Sequence, residues 1–277
     1  MRLIRNLGIL VLVVWICNSC FKAPEYPVIP QISYNSLYYN SGSNGDSLVL
    51  SINFKDGDGD LGLGTADSSY EYTNSYYFII NANNQFTIAN RPDYKVTNGQ
   101  YVTYKTKRTN SSLSIPDATT VKDWDNITVT NYLTLPDYVS PYYCTNWESK
   151  YTTVNNVSTL TDTVYKQINP NYNNIFIDFY TKNNDGSFTK FDFSSYFPAT
   201  SCFPQGYNGR FPVLSQDLSK STPLDGVIRY AMYSASSGFY LLFNNKTVKL
   251  KIYIQDRALH QSSVIETPEF TLQSIKR

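Results

Sequence analysis

From Ser47 to Phe54 the chain alternates without interruption: Leu48, Leu50, Ile52 and Phe54 take one set of positions, and Ser47, Val49, Ser51 and Asn53 take the other. Successive strand side chains point to opposite faces, so this period of two predicts a half-buried strand. Near the other end, Val248, Leu250, Ile252 and Ile254 alternate with Thr247, Lys249, Lys251, Tyr253 and Gln255 and predict a late counterpart. β-like runs also cover 76–80, 101–105, 127–133, 175–180 and 227–233, and Asn184-Asp185-Gly186 predicts a hairpin turn between 175–180 and 188–193. A closing strand is expected over 264–272, where Pro268 demands an edge position or a bulge. Helical periodicity is not sustained beyond the N-terminal leader. The pattern predicts an all-β chain.

The leader carries an address. Arg2 and Arg5 form a positive start, 7–16 form an apolar core too short to stay in a bilayer as a spanning helix, and Ser19 places a small residue before Cys20. Residues 1–19 therefore read as a lipoprotein signal peptide, with Cys20 as the lipidation site and first mature residue. Cys17 is the poorer acceptor because it follows the bulky Trp15 and Ile16. Cys17 and Asn18 also depart from the usual lipobox, which leaves a plain secretory signal as the alternative. Two or more acyl chains give stable membrane attachment, at ~0.8 kcal/mol per buried methylene. Residues 20–31 contain Pro24, Pro27 and Pro30 and read as a short, stiff tether to a domain spanning 32–277.

Composition narrows the partners. The leader takes two of the 23 basic groups with it and leaves the 22 acidic groups one ahead, so there is no electrostatic footprint for nucleic acid. With 25 Tyr and 15 Phe among many Asn, Ser and Thr, the chain favours pleated strands joined by polar turns. Only Cys144 and Cys202 remain after the leader; in an oxidising compartment they either form a disulfide or stay as two thiols. The domain is far longer than the ~100 residues of one seven-stranded immunoglobulin-like sandwich. The surplus is assigned to an inserted β-rich block at about 84–170.

Asp56-Gly57-Asp58-Gly59-Asp60-Leu61-Gly62 bears the most specific chemistry. It contains a formal Gly-x-Gly-x-x-Gly, but Asp58 and Asp60 would repel a pyrophosphate and no amphipathic helix follows. Carboxylates at alternate positions suit a hard cation such as Ca²⁺, which takes six to eight oxygens. An EF-hand is rejected, although Asp67 falls at its twelfth position, because Leu61 stands where that loop needs Gly and a strand precedes it. Asp56 and Asp256 each lie two residues beyond an alternating strand, Phe54 and Ile254 being the last positions. In an immunoglobulin-like sandwich the second and penultimate strands run to the same end, so Asp256 is expected to join Asp56, Asp58 and Asp60 around a structural Ca²⁺. The competing explanation is a solvated Asp-Gly turn.

Catalytic signatures are poor. His260 is the sole histidine and reads as an exposed loop residue, and neither Gly-x-Ser-x-Gly nor His-Glu-x-x-His occurs. Asp123 and Asp125 on one strand face would be ~6.6 Å apart, a separation an inverting glycosidase could use, but Asp flanking Trp at a strand end is ordinary. The abundant Tyr residues could form a stacking platform for sugars, which sets a surface glycan-binding module beside the favoured non-enzymatic role.

The segments from Phe54 to Leu63, Arg210-Phe211-Pro212-Val213-Leu214 and Ile254-Gln255-Asp256-Arg257-Ala258-Leu259, with Glu266-Thr267-Pro268, resemble a family of Bacteroidota outer-membrane lipoproteins with immunoglobulin-like or cadherin-like antiparallel β-sandwiches. The resemblance implies a lipid-anchored protein on the cell surface or the periplasmic face of the outer membrane, and it brings no established activity. Members of that phylum commonly place lipoproteins on large outer-membrane machines, which implies an outer-membrane protein partner. Asp46-Ser47-Leu48 and Asp162-Thr163-Val164 are similar to the O-glycosylation triplet of that phylum.

Overall fold

The computed structural model describes residues 24–42, 45–65, 67, 71–81, 86–89, 99–101, 147–196, 206–235 and 238–277. Among them the strands follow as β1 (Gln31–Gly42), β2 (Gly45–Asp56), β3 (Ser75–Asn81), β4 (Phe86–Ala89), β5 (Gly99–Tyr101), β6 (Trp147–Val154), β7 (Val157–Ile168), β8 (Ile175–Lys182), β9 (Phe188–Lys190), β10 (Leu224–Ala235), β11 (Val248–Ile254) and β12 (Ile265–Glu266). One six-residue helix, α1 (Gly238–Phe243), lies between β10 and β11. Every named strand pair is antiparallel, and the all-β expectation holds.

Two sheets share one core. The first has the order β1-β2-β10, the second β12-β11-β8-β9. Leu48, Leu50, Ile52 and Phe54 of β2, with Leu37, Ile228 and Met232 from its neighbours, face Ile175, Ile177 and Phe179 of β8 and Val248, Leu250, Ile252 and Ile254 of β11. The β2 and β11 positions are the ones the alternation marked, whereas no strand was expected over β1, which supplies Leu37. At one end Phe191 and Phe193 close the core with Phe239 and Phe243 of α1, around Phe179. Six residues are too short to write a helical period. The helix is held because the buried Asp46 carboxylate accepts from the backbone N–H groups of Phe239 and Tyr240 at 3.2 and 2.8 Å.

β2 corrects the half-buried expectation. Ser47, Val49 and Ser51, predicted to face solvent, are buried as well, though less completely than Leu48, Leu50 and Ile52. The reason is its central place: β1 and β10 flank its whole length, with Tyr38 and Ala231 both in register with Val49 and Arg229 in register with Ser51. Arg229 lies over the Tyr38 ring and bonds its hydroxyl, roofing the outer face. Ser47 of the Asp46-Ser47-Leu48 triplet is enclosed with it.

The Asn184-Asp185-Gly186 hairpin forms as expected, pairing Thr181 with Thr189 and Lys182 with Phe188. The closing strand does not run over 264–272. It pairs only at Ile265 and Glu266, and Pro268, which has no N–H to give, interrupts the ladder before Phe270 bridges Val248.

Between β2 and β8 the chain makes a separate sheet of order β4-β3-β7-β6, with β5 on β3. Its two legs are paired at the root, Ser75 against Ile168, so the block begins earlier than about 84. Beneath this pair the buried Asn169 donates through Nδ2 to the Glu71 and Thr73 carbonyls, both at 2.8 Å, and through its backbone N–H to Asn74. The runs at 101–105 and 127–133, apart from Tyr101, lie outside the described residues.

Candidate metal centre

β2 ends at Asp56, and β11 ends two residues before Asp256; the two strand ends meet at one pole of the molecule. Carboxylate oxygens of Asp56, Asp60 and Asp256 lie within 4.8 Å of one another. Asp56 and Asp256 are buried and Asp60 is half-buried. Asp58 stands beside this trio, half-buried, close enough for its charge to act on all three. The loop reaches this shape through backbone turns that a side chain would oppose: Gly59 has φ +73°, and a Cβ there would meet the Thr222 carbonyl oxygen.

Backbone donors hold the carboxylates in place but leave them short of partners. The Asp60 N–H donates to Asp56 Oδ2 at 3.1 Å, the Ala258 N–H to Asp60 Oδ2 at 3.0 Å, and the His260 N–H to Asp256 Oδ1 at 2.7 Å. His260 Nδ1 sits 2.9 Å from Asp256 Oδ2. Oδ1 of Asp56, of Asp58 and of Asp60 are buried without any hydrogen-bond partner. A buried carboxylate oxygen without a donor is costly, and a positive ligand would relieve three of them in one cluster. The set is all oxygen and multiply anionic, which fits a hard divalent cation such as Ca²⁺ and not a soft thiolate-seeking metal.

The electrostatics agree. Burial pushes the Asp56 carboxyl up to about 7, with the charges of Asp58 and Asp60 adding to the rise. Burial likewise raises Asp60 to about 6, helped by Asp256 and Asp58. Asp256 is raised by burial against the opposing pull of His260, and His260 is itself raised by its bond to Asp256. Mutual repulsion of this kind is what a bound cation relieves.

Two arginines frame the cradle; both stand in stretches named from the sequence, but their residue pattern assigned neither a role. Arg257 forms a two-pronged ion pair with Asp67, at 2.6 and 3.3 Å, which holds that carboxyl below its ordinary range. Asp67 is thereby committed away from any EF-hand role. Arg210 stacks 4.0 Å above the Tyr172 ring and donates to the carbonyls of Tyr172, Gly64, Asp67 and Tyr72. Next to it, Asn174 grips Phe211 through both backbone groups, at 2.9 and 3.1 Å, and residues 61–63 pair with Phe211 and Leu214. Three stretches distant in sequence thus meet here: the Asp-Gly loop, the Arg210–Leu214 stretch and the loop around Asp256. Carbonyl recognition by arginine leaves no spacing signature, which is why only the aspartates were legible.

Cys20, Cys144, Cys202, Asp123 and Asp125 lie outside the described residues. The chain matches no protein-family model, no curated protein and no solved structure.

Proposed function

We propose that the chain is a non-enzymatic lipoprotein anchored at the outer membrane through Cys20, and that its domain serves as a subunit or accessory of an envelope protein complex. Its sandwich is immunoglobulin-like: a sheet of β1, β2 and β10 faces a sheet of β12, β11, β8 and β9, with the separate sheet inserted between the second and third strands of the sandwich. A structural Ca²⁺ at Asp56, Asp60 and Asp256, with Asp58 beside them, braces the pole from which that insertion leaves. The observation that carries the proposal is the convergence of carboxylates from two loops, with unpartnered oxygens between them. A cation there ties the end of β2 to the loop after β11 and stiffens a scaffold; no bond of a substrate need be made or broken.

Detergent extraction and affinity purification of the native chain are expected to recover a stoichiometric membrane partner, and mass spectrometry to find acyl chains on Cys20. A chain that migrates alone with an unmodified N-terminus refutes the proposal. A second reading, a surface glycan-binding module, draws on the outer face of β8 and β11, where Phe176 and Tyr253 stack at 4.5 Å and Lys251 lies over Tyr180. Saturable binding on a polysaccharide array supports that reading, and silence across the array removes it.

A further inference from the structure

The acidic pole touches one more segment. Residues 24–30, which lead from the N-terminus into β1, run beside the Asp-Gly loop and are fastened at Tyr26 and Pro27. Gly57, between Asp56 and Asp58, is packed so tightly on them that a Cβ there would meet the Tyr26 carbonyl oxygen and fall 2.8 Å from the Pro27 carbonyl carbon. The Tyr26 hydroxyl lies near the carboxylate of Asp225, at the start of β10, whose charge helps raise it above its ordinary range after burial, and the Lys55 ammonium lies 5.3 Å from the Tyr26 ring centre. Val28 and Ile29 point to solvent, 48 % and 54 % exposed, so these two apolar side chains do not seat the segment in the core.

We infer that the cation site is also a clasp on this segment: a bound cation holds Tyr26 and Pro27 against the domain, and its removal lets them go. The inference rests on reading the acidic cradle as a cation site. Gly57 keeps its place only while the groups on either side of it, Asp56 and Asp58, stay folded inward. Without a counter-charge these carboxylates repel each other and Asp60, and the loop relaxes by moving outward, away from the Tyr26 carbonyl. The fastening of Tyr26 to Lys55 and Asp225 then loses its backbone support. If a lipid on Cys20 anchors the chain, the clasp decides whether the domain stands at a fixed angle to the membrane or swivels on a loose leash.

Coupling of this kind is reciprocal: whatever factor the cation adds to the docking of the segment, the segment adds to the affinity for the cation. The test titrates CaCl₂ against a chromophoric chelator in the presence of the detergent-solubilised full chain, in the natural sequence and in Tyr26→Ala. A second readout is a nitroxide on Val28→Cys, with Cys144→Ser and Cys202→Ser, recorded with calcium and with EDTA. The expected results are one calcium bound by both chains, an affinity about fivefold weaker in Tyr26→Ala, and a nitroxide spectrum that sharpens in EDTA. Tyr26→Phe, which keeps the ring over Lys55 and loses only the hydroxyl beside Asp225, should fall between them. Equal affinities with an unchanged nitroxide spectrum overturn the clasp and leave the cation site standing. A natural chain that does not compete for calcium overturns the cation site itself.

Discussion

Replacing Asp56 with Asn should make the metal-free protein sturdier at pH 8, although it removes a residue at the heart of the candidate site. In the natural chain Asp56 must ionise while fully enclosed, and its carboxyl is pushed from 3.8 up to about 7. At 1.36 kcal/mol per unit this difference corresponds to about 4 kcal/mol between the folded and unfolded states. Between these two values the folded chain retains a proton that the unfolded chain has released. Stability from this group is therefore full below about 4 and is lost as pH rises through about 7. Asp60, raised to about 6, acts in the same direction, and the two share their repulsion, so the penalties overlap. Asn has nearly the same shape, can still accept from the Asp60 N–H and carries no charge. Burying its amide takes back ~1–2 kcal/mol, leaving a net gain of ~2 kcal/mol, or about 4–8 °C in Tm for a domain of this size. Scanning calorimetry in EDTA at pH 8 measures the gain, and at pH 4, where the natural carboxyl is neutral in the fold, the variant should melt below the natural chain by the ~1–2 kcal/mol of its buried amide. With free calcium tenfold above Kd the natural chain gains about 1.4 kcal/mol, and the variant gains nothing. If Asp56→Asn melts below the natural chain in EDTA at pH 8, or by a margin indifferent to pH, the carboxylate cluster is not the source of strain described above.

Three further outcomes are expected. Asp58→Asn should abolish the drop in Tm that a chelator causes in the natural chain; a persisting chelator effect would place the cation elsewhere. Arg210→Lys keeps the charge but loses the planar fork and strands several carbonyls, and denaturant unfolding should show a loss of ~2–3 kcal/mol. Phe179→Ala opens a cavity among Phe191, Phe193, Phe239 and Phe243 and should cost ~3–5 kcal/mol by the same measurement.

Local pattern and tertiary context divided the work of specifying this fold. β2 and β11 were readable because each presents a full alternating face to one core, and the β8–β9 hairpin because Asn-Asp-Gly dictates its turn. The meeting of Asp256 with the Asp-Gly loop followed from strand direction alone, since Asp56 ends one strand, Asp256 lies just past another, and both strands end at one pole. What the pattern concealed depends on neighbours distant in sequence. Val49 looked exposed until β10, far along the chain, roofed it beside β1. The short β12 reflects Pro268 acting on a ladder whose partner, β11, lies across a loop. Arg210, Asn174 and Asn169 bind main-chain carbonyls, which every residue offers, so their side chains announce nothing in a motif.

The paired legs at Ser75 and Ile168, with Asn169 beneath them, bear on how this architecture tolerates change. Because, among the described residues, the excursion leaves and returns between paired, latched legs, the core meets its two ends as it would those of a short turn. Closing entropy grows only slowly with loop size, ~0.6 kcal/mol for each doubling. Lineages could lengthen, shorten or exchange everything beyond those legs at small thermodynamic expense, and the sandwich would remain a constant chassis for variable attachments.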